Sequence, residues 1–131
     1  MKRITREWLR KAEADFRGAL RLVGAHERLH DLVAFHCQQC AEKYLKAMLE
    51  ESGRHVPKTH DLDDLLSLVH PYHPALRSLR RGMQFLTQFA VETRYPGENA
   101  TRRQAEAALR WAGRVRTMAR ALLGLRPRRV P

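Results

Sequence analysis

Residues Leu32–Leu49 read LVAFHCQQCAEKYLKAML, and the spacing within this stretch decides the fold. At about 100° per residue, Val33, Cys37, Cys40, Ala41, Tyr44, Ala47 and Met48 fall on one broad apolar arc of a helix. Phe35, Gln39, Glu42 and Lys46 form a narrow row on the opposite side, and His36 stands at the boundary. A helix with a single apolar arc is an ordinary surface element of a bundle. The aligned row of phenylalanine, glutamine and a charge pair has two readings. One is an i,i+4 Glu42–Lys46 pair that supports the helix by about 0.2–0.5 kcal/mol, beside one stray aromatic. The other is a face that meets a partner.

Cys37 and Cys40 are the only cysteines, spaced C-x-x-C. That spacing can mean redox chemistry or half a zinc site. Here both lie in mid-helix on the apolar arc, with no second cysteine pair and no strand before them. They read as small buried hydrophobes, and no metal site is expected.

Working outward from this helix, the preceding segment Thr5–Val23 places Trp8, Leu9, Ala12, Phe16, Ala19, Leu20 and Val23 at helical period. Gly24 and the polar HERLHD stretch make a connection. On the other side, Gly53 ends the central helix, Pro57 keeps RHVPKTHD out of helix, and Thr59 or Asp61 caps a short third helix to about Val69. HPYHP breaks the chain again. A fourth helix over about Ala75–Val91 carries Leu76, Leu79, Met83, Leu86 and Ala90 on one face and Phe85 and Phe89 on the other. After the turn-rich TRYPGENAT, a last helix over about Thr101–Leu123 buries Ala105, Ala108, Leu109, Trp111, Ala112, Val115, Ala119 and Leu122, while Arg102, Arg103, Arg110, Arg114 and Arg120 gather outside. The expected fold is therefore an all-α, up-and-down bundle of four to five helices over residues 1–124. Residues 125–131 form a basic, flexible tail.

The chain has 131 residues, 44% hydrophobic, with only 7 Gly and 6 Pro, which fits one folded helical domain rather than a disordered segment. No apolar run approaches the roughly 20 residues of a membrane span, and the charged start MKRITREWLRKAEADF is no secretory signal. A cytoplasmic location is expected. Against 14 Asp and Glu stand 25 Lys and Arg, a net charge of +11 that attracts polyanions, nucleic acid first.

Four pieces in order, WLRKAEADF, FHCQQCAEKYLKAML, THDL and TRYPG, resemble the HEPN family of small bacterial and archaeal helical domains. The resemblance runs from about Trp8 to Leu123. It implies a bundle that usually forms homodimers, often as the partner of a separately encoded minimal nucleotidyltransferase in toxin–antitoxin pairs; no cofactor is expected. Many members are metal-independent ribonucleases that use an Arg and a His separated by four to six intervening residues. The counterpart here is Arg94, but Asn99, Ala100 and Thr101 stand where that His would be. None of the three can move a proton near neutral pH as imidazole does. Arg54 and His60 satisfy the spacing in an earlier loop. Whether the chain is an enzyme stays open.

The leading expectation is a nucleotide- or RNA-binding HEPN subunit. Arg94, Tyr95, His60, Lys46 and His36 are the candidate ligand residues, with Arg94 and His60 as the catalytic pair if RNA is cleaved. Arg94 offers a planar fork for phosphate, although an ion pair to Glu92 or Glu42 is the structural alternative. His36 is also readable as a satisfied, half-buried histidine. Phe35, Gln39, Glu42, Phe85 and Phe89 are the expected homodimer face. A metal-independent ribonuclease toxin and a non-catalytic dimeric scaffold are the two rival functions.

Overall fold

The protein is described by a computed structural model covering residues 1–91 and 95–127. Five α-helices follow in order: α1 (Arg3–Val23), α2 (His30–Glu51), α3 (Leu62–Val69), α4 (Arg80–Thr87) and α5 (Arg102–Leu122). A 3-10 helix, Pro74–Leu79, precedes α4, and no strand occurs among the described residues. The fold is the expected all-α bundle.

α2 is its axis and packs against all four other α-helices. The whole expected arc, from Val33 to Met48, is buried. So are Ala34, Gln38, Leu45 and Leu49 on other sides of the same helix, because neighbours surround it. That corrects the expectation of a water-facing row: Glu42 and Lys46 are 4% and 5% exposed. Their side of α2 is closed by Trp8 of α1, whose ring lies 5.7 Å from the Lys46 ammonium, and by His60, just ahead of α3. Phe35 and Gln39 stay partly exposed.

Local chemistry explains the helix ends. Gly53 ends α2 with φ +76°, a left-handed conformation that costs glycine little. Asp61 caps α3, accepting from the N–H groups of Asp63 and Asp64, while the Thr59 hydroxyl accepts from the Asp61 N–H. Thr101 opens α5 in a capping box with Gln104, each side chain accepting from the other's backbone N–H.

The expected fourth helix is divided. Pro74 starts a 3-10 segment, and α4 stops at Thr87. Beyond that point the helical wheel no longer applies. Phe89 turns inward, is 1% exposed, and meets Phe85 edge-to-face at 5.4 Å. Phe89 therefore belongs to the monomer core rather than to an exposed dimer face, and Glu42 is likewise internal. Where α4 crosses α5, Gly82 lies beneath the Trp111 ring; a Cβ there would stand 2.1 Å from Trp111 Cε3.

Two long-range contacts set the directions of the helices. The Glu51 carboxylate at the end of α2 accepts from the Lys2 backbone N–H and the Thr5 hydroxyl at the start of α1, so these helices run antiparallel. Asp31, in the first turn of α2, accepts from the Ala100 N–H at 2.6 Å. α2 and α5 consequently begin side by side.

Candidate anion-binding groove

Several of the side chains singled out in the sequence are engaged by partners within the chain. Glu42 Oε2 pairs with the Lys46 ammonium at 2.9 Å, and Glu42 Oε1 pairs with His60 Nδ1 at 2.9 Å. Gln38 donates to Glu42 and to the His60 carbonyl oxygen, and Gln39 donates to Gln38. Lys46 is thus an internal partner of a buried carboxylate and not an open ligand group, which corrects its expected role. The His60 side chain is 64% exposed. With Nδ1 held by Glu42, its other ring nitrogen is left for a proton or a ligand.

His36 belongs to a different group. Its Nδ1 lies 2.8 Å from Asp15 of α1, whose second oxygen takes the Lys43 ammonium. It is the satisfied, half-buried histidine of the structural reading. Arg54 stacks over the Tyr72 ring and donates to its hydroxyl, so it is engaged apart from His60. Arg94 lies outside the described residues. The following turn is present: Tyr95 is 79% exposed, its carbonyl accepts from the Glu98 N–H, and Gly97 has φ +91°.

A third buried cluster ties α1, α2 and α5 together. Glu13 receives Arg116 at both carboxylate oxygens, at 2.7 and 2.9 Å, and Tyr44 donates to it at 2.9 Å. Burial pushes the Glu13 carboxyl pKa up, but the bonds from Arg116 and Tyr44 and the Arg120 charge outweigh that and hold it below the usual range. Tyr44 is pushed up by burial and by the adjoining carboxylate. Cys37 and Cys40 are free and fully buried, and burial raises the Cys37 thiol to about 12 and Cys40 well above its ordinary value. They pack as hydrophobes, as their spacing on α2 suggested.

The open feature is where α2 and α5 begin together. A groove of about 580 Å³ lies there, lined by Val23, Arg28, His30, Ala100, Thr101, Arg102, Ala105 and Glu106. A second hollow of about 440 Å³ shares Arg28, His30 and Ala100 with it and adds Leu29, Asp31, Leu32 and Asn99. Leu29 occupies the N-cap of α2 and supplies no side-chain acceptor. The first-turn N–H groups of α2 therefore lack a side-chain cap, at the positive end of the helix dipole. The acids nearby are engaged: Asp31 holds Ala100, and Glu106 pairs with Arg102 Nε at 3.0 Å, leaving the two terminal guanidinium nitrogens of Arg102. Arg28 is exposed and has no carboxylate partner among the described residues. Such a combination suits an anion with several oxygens.

Sequence reasoning missed Arg28, His30 and Arg102 as a group. The only local signals were the polar HERLHD run without a good cap and the Thr101–Gln104 capping box; their adjacency is long-range. Among the described residues, no three His, Cys, Asp or Glu side chains are grouped to hold a metal, and no helix is long and apolar enough to cross a membrane.

Comparison with known proteins places the fold. The HEPN domain model matches residues 5–122. The crystal structure of TT1696 from Thermus thermophilus is similar with a TM-score of 0.77 at 27% identity, covering 89% of this chain and 96% of that one. The crystal structure of ST0689, an archaeal HEPN homologue, is similar with a TM-score of 0.72 at 25% identity, covering 94% of this chain and 99% of that one. No curated protein matches the sequence significantly. The match over nearly the whole length makes the conclusion plain: this chain belongs to the HEPN domain family.

Proposed function

We propose that this HEPN protein binds the phosphates of a nucleotide or RNA in the groove where α2 and α5 begin. In this reading it works as a homodimer beside a separately encoded minimal nucleotidyltransferase, in a toxin–antitoxin type module. The observation that carries the reading is the convergence of Arg28, His30 and Arg102 on that groove beside the uncapped start of α2. Tyr95 stands a few residues before Asn99 and Ala100, which line the groove and its neighbouring hollow, and Arg94 and Tyr95 are assigned to the same proposed site on that nearness in sequence. Net charge of +11 supplies long-range attraction. Phe35, Gln39 and Phe85, all partly exposed, remain as the proposed two-fold face.

Fluorescence anisotropy with an end-labelled single-stranded RNA tests the site. Arg94→Ala should weaken binding by about 1.5–3 kcal/mol, the range for hydrogen bonds to charged groups, and Arg94→Lys should recover only part of it. Arg28→Ala should act in the same direction. Unchanged affinity in both alanine variants would leave the scaffold function as the better account.

One observation favours a catalytic version: buried Glu42 orients the exposed His60 imidazole, the arrangement a general base needs. In a metal-free RNA cleavage assay, His60→Ala and Glu42→Gln should then both lose activity. Cleavage that persists in both variants would remove His60 from the chemistry.

A further inference from the structure

Gly82 is required by the ring above it, but two other helical glycines, Gly18 in α1 and Gly113 in α5, have no such reason inside the chain. Gly113 lies in the interior of α5, where glycine weakens a helix relative to alanine. A Cβ at Gly113 would meet no atom within 4 Å. Gly113 instead lines an open groove of about 520 Å³ between α1 and α5, on a different part of α5 from the anion-binding groove. The apolar lining comes from Phe16, Leu109 and Met118, and the charged lining from Arg110, Arg114 and Arg116. Arg116 is spent on Glu13. Arg110 and Arg114 are exposed, and neither has a carboxylate partner among the described residues; Arg114 rests on the Trp111 ring at 4.7 Å. No acidic side chain lines the groove.

We infer that this groove is a docking site for an acidic amphipathic helix of another protein. An apolar side chain of that helix would seat over Gly113, between Phe16, Leu109 and Met118, while flanking carboxylates pair with Arg110 and Arg114. Charge selects this occupant. A second copy of the chain, with its net charge of +11, would bring a predominantly basic surface against a basic rim, and that like-charged juxtaposition disfavours it. A phosphate backbone would find the two arginines but gain nothing from the apolar floor. Helix-in-groove recognition uses this division of labour, with apolar anchors at i, i+3, i+4 and charges at the edges. The inference stands apart from the anion-binding reading and survives its failure.

The test uses the full chain and a fluorescein-labelled 16-residue peptide with Leu at i, i+3 and i+4 spacing and Glu between. Two controls accompany it: the same peptide with Lys for every Glu, and one with Ser for every Leu. Only the Leu/Glu peptide should bind well. Gly113→Leu fills the groove from an open position and should weaken binding at least tenfold without lowering the melting temperature; Gly113→Ala should retain most of it. Arg110→Glu combined with Arg114→Glu should shift preference to the Lys peptide. Equal binding of the Ser control, or unchanged affinity in Gly113→Leu, would overturn the proposal. A change of sedimentation coefficient in Gly113→Leu would assign the groove to self-association instead. Binding of a short RNA, lost in Gly113→Leu while the Leu/Glu peptide fails to bind, would assign it to nucleic acid.

Discussion

Replacing Glu13 by alanine strikes the point where three helices are tied. Glu13 is 5% exposed and accepts two bonds from Arg116, itself 5% exposed, and one from the Tyr44 hydroxyl. The variant removes the carboxylate that the buried Arg116 guanidinium pairs with and the acceptor of the buried Tyr44 phenol. Removing one partner of a buried pair costs about 3–5 kcal/mol, against a total stability of about 5–15 kcal/mol. For a domain of this size that corresponds to a fall in Tm of roughly 10–20 °C, read by circular dichroism at 222 nm. Joint replacement, Glu13→Leu with Arg116→Met, should recover part of the loss, because an apolar pair avoids the desolvation of both charges while Tyr44 and Arg120 still lack the carboxylate. The sign with pH follows from the lowered Glu13 pKa. Its stabilisation is fully present above the unfolded carboxyl value of about 4.3 and is lost as pH falls through that value toward the folded one. The double variant should lack this part of the acid slope. A Glu13→Ala protein melting within about 2 °C of wild type, or a double variant no better than the single one, would refute the reasoning.

Two further outcomes follow from packing. Gly82→Ala should destabilise by roughly 1–3 kcal/mol, because the new methyl meets the Trp111 ring and α4 must move off α5; urea denaturation checks this, and an unchanged midpoint contradicts the close approach. The Cys37 and Cys40 thiols should resist a disulfide reagent at pH 8 in the folded protein and react fully in guanidinium, since burial keeps them protonated and enclosed; rapid reaction of either in the native state would place it nearer the surface than the structure does.

The fold was legible where a local period or cap decides it. The apolar arc of α2, the stop at Gly53, the cap at Asp61 and the start of α5 at Thr101 all follow from neighbouring residues. Glu42 and Lys46 were misplaced for a physical reason. A helical wheel shows which side is polar but not whether another segment covers it, and the Glu42–Lys46 side of α2 is covered by Trp8 and His60. Phe89 was misplaced because the wheel was extended past Thr87, where α4 ends. The candidate site was less legible than the fold. The Lys46–Glu42 pair is local and was readable from its i,i+4 spacing, whereas His36 finds Asp15 through packing and the Arg28–His30–Arg102 groove exists only because α2 and α5 start side by side. Of the residues expected to bind ligand, Tyr95 is exposed in a turn ahead of α5, while His60 belongs to the Glu42 cluster.

The proposed phosphate site is tested most directly by an amide NMR titration of the protein with a short single-stranded RNA. Chemical-shift changes should concentrate at residues 28–32 and 95–103, where α2 and α5 begin, and should be abolished by Arg28→Ala combined with Arg94→Ala. Changes centred on residues 109–118 of α5, or spread evenly over the basic surface, would contradict the assignment of the ligand to this groove.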